Sequence, residues 1–216
     1  LQELRHELGI HLFAGHVNHH IRKEAGEDEK FVSKLCGTLN IPLFIRHIKI
    51  GSPKDSLEKK AREKRFKALF EILGEQNADA LALGHHQNDL AETVFMRILR
   101  GTGLQGLQAI LPKRIMDGVP VLRPLLETTR KEIQDYLDVN KIDFREDMTN
   151  RDTTLFRNKI RHQLLPDIQK NYQPQVISLL ANLAKNAAMD YDYISHKAGA
   201  GYLTCASNTR EGEILS

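Results

Sequence analysis

Residues 78–93 read ADALALGHHQNDLAET, and the fold turns on how this stretch is read. A short apolar run ends at Gly84 and passes directly into polar residues. From Asn88 or Asp89 a helix then carries Val94, Phe95, Ile98 and Leu99 at helical spacing. A run this short, bounded by turn residues, predicts a fully buried parallel strand. A parallel strand feeding a helix is half of a βαβ unit, so the expected class is α/β.

Outward from it the pattern repeats. Towards the N-terminus, IHLFAGHV (10–17) is β-rich and runs into NHHIR (18–22). A charged helix with Phe31, Val32 and Leu35 inward follows, then a strand in IPLFIRHIKI (41–50). DSLE (55–58) resembles a capping box, opening a long amphipathic helix with Leu57, Ala61, Ala68, Leu69 and Ile72 on one face. Leu1–Gly9 reads as the second half of a helix stopped by Gly9. Towards the C-terminus, residues 109–125 read as two short strands around an Asp117–Gly118 turn. Thr129 and Glu132 cap a further helix, another spans 154–165 and is stopped by Pro166, and a last run spans 174–198. The tail is turn-rich, a linker or a strand.

The 216 residues are 41% apolar and 27% charged, with a formal charge of +3. This is enough chain for a sizeable core and too apolar for intrinsic disorder. No apolar stretch approaches the length of a membrane span. Cys36 and Cys205 offer no C-x-x-C or Cys/His ligand spacing, which argues against structural zinc or an iron–sulfur cluster and for a reducing, cytoplasmic setting. Charge concentrates locally. Residues 54–67 hold seven Lys or Arg against three acids, and 157–162 read RNKIRH. Solvated helix faces or phosphate-binding surfaces both suit such clusters.

In a parallel sheet, ligands bind beyond the carboxyl ends of the strands. Two strand ends here deliver His, Asn and acidic groups: NHHIR and HHQNDLAET. Asp89 and Glu92 are three apart at a helix start and share a face. They either cap the helix or bind a cation, Mg²⁺ or a substrate ammonium. His85 and His86 are adjacent, point apart and lack a third ligand, so zinc is not expected. Arg62 and Arg65 form one helical stripe, fit for phosphate or for solvent. Arg157 and Arg161, four apart beside Asn158, suit a nucleic-acid backbone. With no Trp and no aromatic interleaving, contacts to RNA would be led by phosphate and shape.

Five blocks in order, HVNHHIR, SLEKKAREKRF, GHHQNDLAET with LRGTGLQGL, RPLL with TRKEI, and DMTNRDTTLFRNKIRHQLLP, closely resemble the tRNA(Ile)-lysidine synthetases over roughly residues 10–170. The resemblance implies an N-type ATP pyrophosphatase of the PP-loop superfamily: a Rossmann-like, doubly wound parallel sheet, adenine nucleotide alpha hydrolase-like, with a C-terminal helical extension. On that basis residues 1–125 would be the pyrophosphatase core, 126–198 the helical extension, and 199–216 a linker or the start of a further region. The implied reaction is ATP-dependent adenylation of the wobble cytidine of a CAU-anticodon tRNA(Ile), then attack by the ε-amine of free L-lysine, with AMP and pyrophosphate released.

The family likeness carries roles over residue by residue. Asp89 and Glu92 match the acidic pair that handles lysine or cytidine, and Arg62 and Arg65 the arginines near ATP. His16, Asn18 and His19 fall near the nucleotide. His85, His86, Arg97, Arg100, Arg157, Asn158 and Arg161 are the expected substrate or tRNA contacts. ATP and Mg²⁺ are the implied co-substrate and ion, and no residue is assigned to the metal. A homodimer is one open arrangement, and no membrane partner is expected. One departure stands out: the family's SGGxDS phosphate loop has no counterpart in the chain, and Leu1–Gly9 reads as the end of the helix that follows it. Weak or absent ATP turnover by this chain alone is therefore expected. The alternatives are a tRNA-binding fragment impaired in catalysis and a tRNA 2-thiocytidine-forming enzyme.

Overall fold

The computed structural model describes residues 1–19, 25–48, 57–146, 152–209 and 212–215. The Asp55–Glu58 capping box and parts of the NHHIR and DMTNRD segments lie outside the described residues or side chains. The chain divides into two compact units: Leu1–Leu81 with Ile115–Val121, and Ala82–Arg114 with Leu122–Ser216.

In the first unit, β1 (Ala14–Asn18) pairs in parallel with β2 (Leu43–His47), Ala14 opposite Leu43 and Asn18 opposite His47. Parallel neighbours need a crossover, supplied by α1 (Ala25–Thr38). α2 (Leu57–Glu75) buries Phe66, Ala68 and Ile72. It lies so close to β1 that a Cβ on Gly15 would sit 2.9 Å from Leu69 Cδ2. Residues 2–9 form hydrogen-bonded turns rather than a regular helix. They end as the sequence predicts: Gly9 has φ +61°, and Ile10 N–H donates to the Arg5 carbonyl at 2.9 Å, a Schellman closure. Asn40 and Asn77, with φ of 51° and 49°, close α1 and α2 in the same way.

A three-stranded sheet has the order β3–β5–β4, from β3 (Leu81–Ala82), β4 (Lys113–Met116) and β5 (Val119–Leu122). The predicted turn joins β4 to β5, with Asp117 at φ 49° and Gly118 at φ 79°, as a two-residue hairpin turn of the primed type requires. The fully buried strand expected in residues 78–84 is corrected. Regular pairing covers two residues, with Leu81 half-buried and Ala82 exposed, because β3 lies at the sheet's edge with a ladder on one flank among the described residues.

The second unit is mainly helical. α3 (Gln87–Leu99) is followed by α4 (Leu104–Leu107), α5 (Arg130–Val139), α6 (Phe156–Lys159), a π-turn over Ile160–Leu164, α7 (Leu165–Asn171) and α8 (Val176–Cys205). Leu90, Ala91 and Val94 of α3 pack with Ile177, Leu180, Ala181 and Ala184 of α8, and with Leu126, Ile160 and Leu165. Alanines at the seam let the two helices approach closely. Pro166 does not stop the helix, as the sequence suggested. It sits at the start of α7, directly after the π-turn, and the helix continues past it. The last helix runs from 176 to 205, longer than expected, and the tail forms an antiparallel hairpin of β6 (Ala206–Thr209) and β7 (Gly212–Leu215).

Candidate active site

The start of α3 carries the second unit's polar centre. Its N-cap is His86 and its first helical residue Gln87, one or two residues before the start at Asn88 or Asp89 that the sequence suggests. His86 Nδ1 accepts the Asp89 N–H at 3.3 Å, and Asp89 Oδ2 accepts the His86 N–H at 3.1 Å, a reciprocal capping box built on histidine. Asp89 in the first turn also favours the helix dipole. Capping leaves Oδ1 of Asp89 for other work.

That oxygen accepts from Arg157 Nη2 at 3.0 Å and Arg161 Nη2 at 2.9 Å. One turn along α3, Glu92 Oε2 accepts from Arg157 Nε at 2.8 Å, and Glu92 Oε1 from Arg161 Nε at 2.6 Å. Two carboxylates and two guanidinium groups thus form a closed, charge-balanced cluster of short charge-assisted bonds. Its members differ in depth: the Glu92 side chain is 2% exposed, Asp89 13%, Arg161 17% and Arg157 31%. Burial would lower the Arg161 pKa, but hydrogen bonds and charge from Glu92, with Asp89 beside it, outweigh it and hold the group protonated.

His86 moves the other way. Burial dominates and pulls its pKa below the ordinary value, with Asp89 opposing and Arg161 adding to the fall. The neutral form also suits the cap, since Nδ1 must stay unprotonated to accept. An unfolded chain therefore takes up this proton at a higher pH than the fold does. The stabilisation is complete above the unfolded value near 6.5 and is lost as pH falls from there. Urea unfolding should show a stability loss of at most about 1.4 kcal/mol per pH unit between pH 7 and 5.5. His86→Asn, which keeps a cap acceptor, should flatten that slope; an unaltered slope would place the titration elsewhere.

Beside the cluster a polar cavity of about 640 Å³ is lined by Asp89, Arg130, Arg145, Glu146 and Arg161, with Ile133, Leu137 and Phe144 as its apolar wall. Asp89 faces it, and Glu92 is not among the lining residues. Arg130 pairs with Glu146 at 3.0 Å. The start of α5 is tied to that of α3, since Arg130 N–H donates to Asn88 Oδ1 at 2.9 Å and Gln87 N–H to the Thr128 carbonyl at 2.9 Å. As predicted, Thr129 and Glu132 form the capping box of α5. Sequence reasoning missed Asn88, Arg130, Arg145 and Glu146. Proximity to the HHQND and TTRKE blocks was the available signal, but Arg145 and Glu146 reach the site through a loop without periodicity.

Other expected site residues have different surroundings. Arg97 Nη1 donates to the Gly106 carbonyl and fastens the glycine-rich turn, where a Cβ on Gly106 would overlap Thr102. The Arg100 guanidinium lies over the Phe156 ring at 5.6 Å. Asn158, 6% exposed, donates to the Asp152 carbonyl at 2.9 Å. His85 precedes the cap and is half-buried. In the first unit, His16 is half-buried on β1, and Asn18 at its end is 4% exposed and donates to Glu29 Oε2 at 2.8 Å; His19 follows. Arg62 lies over Phe66 at 5.6 Å, with Arg65 exposed on the next turn of the same stripe.

The donor set bears on metal binding. Among the described residues no group of three or more His, Cys, Asp or Glu side chains is placed to hold a metal ion. An ion at Asp89 and Glu92 would have to displace an arginine, so these carboxylates as arranged do not fit the Mg²⁺ reading. No described helix is long and apolar enough to cross a membrane.

Residues 1–168 match the PP-loop domain family. Among curated proteins, the tRNA(Ile)-lysidine synthase of Clostridium perfringens is 40% identical over 202 residues, covering 91% of this chain and 42% of that protein. Those of Clostridioides difficile and Clostridium tetani are 38% and 34% identical, covering 99% and 100% of this chain and 47% and 46% of the relatives. The chain thus spans less than half the length of these relatives. Among solved structures, the U34-tRNA thiolase NcsA from Methanococcus maripaludis, with its 4Fe-4S cluster, is similar at a TM-score of 0.61 and 20% identity, covering 81% of this chain and 62% of that one. That likeness concerns fold alone and agrees with the expected mixed α/β class, parallel strands first and helices after. A match over more than half of the sequence, joined to this architecture, settles the membership: the chain belongs to the PP-loop domain family.

Proposed function

We propose that this chain forms the catalytic part of a tRNA(Ile)-lysidine synthetase, which adenylates the wobble cytidine of a CAU-anticodon tRNA with ATP and joins it to free L-lysine. The observation that carries the reading is the cavity beside Asp89. Lysine has charged groups at both ends of an aliphatic stem, and the cavity offers Asp89 and Glu146 for ammonium groups, arginines for a carboxylate and Ile133, Leu137 and Phe144 for the methylenes. In this scheme Arg157 and Arg161 hold Asp89 in place, and Asp89 receives an amine of lysine.

Arg62 and Arg65, with His16, Asn18 and His19, are proposed for the nucleotide, where guanidinium groups would offset charge on the departing pyrophosphate. Arg97, Arg100 and the exposed part of Arg157 are proposed for tRNA, the first two also serving as braces. Mg²⁺ enters the scheme as the counter-ion of ATP, with no residue assigned. A cytoplasmic setting and a homodimer complete the proposal.

Lysine incorporation tests it. The chain, joined behind a strand–loop–helix segment carrying the family's SGGxDS motif, should transfer labelled lysine to a CAU-anticodon tRNA(Ile) in the presence of ATP. The unextended chain should bind that tRNA and transfer little lysine. No incorporation by the extended protein, with tRNA binding intact, would sink the synthetase reading. It would favour a second reading, a tRNA-binding part without turnover.

A further inference from the structure

The helix that carries Arg157 and Arg161 is irregular where it matters. α6 opens into a π-turn over Ile160–Leu164, in which Leu165 N–H donates to the Ile160 carbonyl, five residues back, before α7 resumes. A regular α-helix would set Ile160 and Leu165 about 140° apart around its axis. Here both are buried in one core, at 1% and 3% exposure, while Arg157 and Arg161 both reach Glu92. The widened turn reconciles the two demands by absorbing one extra residue.

Its cause lies just downstream. In α geometry Pro166 would have no N–H for the His162 carbonyl, and its ring would collide with that carbonyl. Opening the turn relieves the collision. Pro166 itself is exposed.

We propose that Pro166 is a positioning residue: it forces the π-turn that aims Arg161 at Glu92 and Asp89 while keeping Leu165 and Ile168 in the core. With alanine at 166, the helix closes into regular α geometry, and either the arginines or the leucine must rotate by about one residue, roughly 100°. The inference rests on the cluster's geometry and is independent of the reaction proposed above.

Thermal unfolding of the chain tests it through a sign. A proline that merely burdens a helix is a cost, so Pro166→Ala would then raise the midpoint. The positioning role predicts a fall of about 5 °C. Two further variants tie the fall to this mechanism. Deleting the exposed Gln163 removes the residue the π-turn absorbs, so Pro166→Ala with that deletion should recover most of the lost midpoint. In an Arg161→Met background, Pro166→Ala should cost much less than in the parent. A raised midpoint, no recovery on deletion, or an equal loss in both backgrounds would each overturn the proposal. If Pro166→Ala alone does not fold, a folded deletion variant supports it and an unfolded one overturns it.

Discussion

Glu92→Gln should cost about 3–5 kcal/mol of stability, the scale of breaking one partner of a buried ion pair. The side chain is 2% exposed and its two oxygens accept from three guanidinium nitrogens. An amide in its place turns an NH₂ towards donors and leaves two arginines sharing Asp89. The loss should appear as a lower urea midpoint with an unchanged denaturant slope. The counter-variant is as informative. Glu92→Met together with Arg161→Leu removes both charges and fills the space, and should recover most of the loss, because a buried pair is worth little more than a well-packed apolar one. Comparable instability in the double variant would mean that the cluster contributes more than desolvation and pairing explain.

Asp89→Asn should reduce kcat/KM for lysine about 100-fold in the extended protein, with tRNA affinity retained. Asp89 is the carboxylate of the cluster that lines the cavity, and the remaining acceptor capacity of Oδ2 is the place for a substrate ammonium; losing a charge-assisted bond of this kind costs about 1.5–3 kcal/mol. The carbonyl oxygen of the substituted amide can still accept the His86 N–H and keep the cap, but its NH₂ then faces the Arg157 and Arg161 donors, so the variant loses stability and the assay is run below its unfolding midpoint. A fall in tRNA affinity without change towards lysine would reassign Asp89 to the nucleic acid.

Local signals carried the sequence reading a long way. Gly9 and Asp117–Gly118 were legible because left-handed backbone has few tenants, and Thr129 with Glu132 because a capping box is a short-range contract. The α3 cap was less so: histidine is an uncommon N-cap, and Asp89 was the stronger candidate by propensity. Asp89, Glu92, Arg157 and Arg161 were each picked out, yet for separate ligands. Their bonds to one another span 65 to 72 residues, and no local pattern encodes which charges will meet. The π-turn was hidden for a related reason. Pro166 read as a stop because its cost to a helix is local, whereas the packing that keeps the helix going is not.

The bonds between the first turns of α3 and α5 have a mechanical side. Asn88 holds the backbone of Arg130, and Gln87 that of Thr128, so two helix starts are clasped at two points. Arg130 lines the cavity through its side chain while its backbone is gripped by the turn that bears Asp89. Any displacement of the start of α5 by a molecule drawn to that guanidinium is therefore opposed by two hydrogen bonds to the turn that bears the carboxylate.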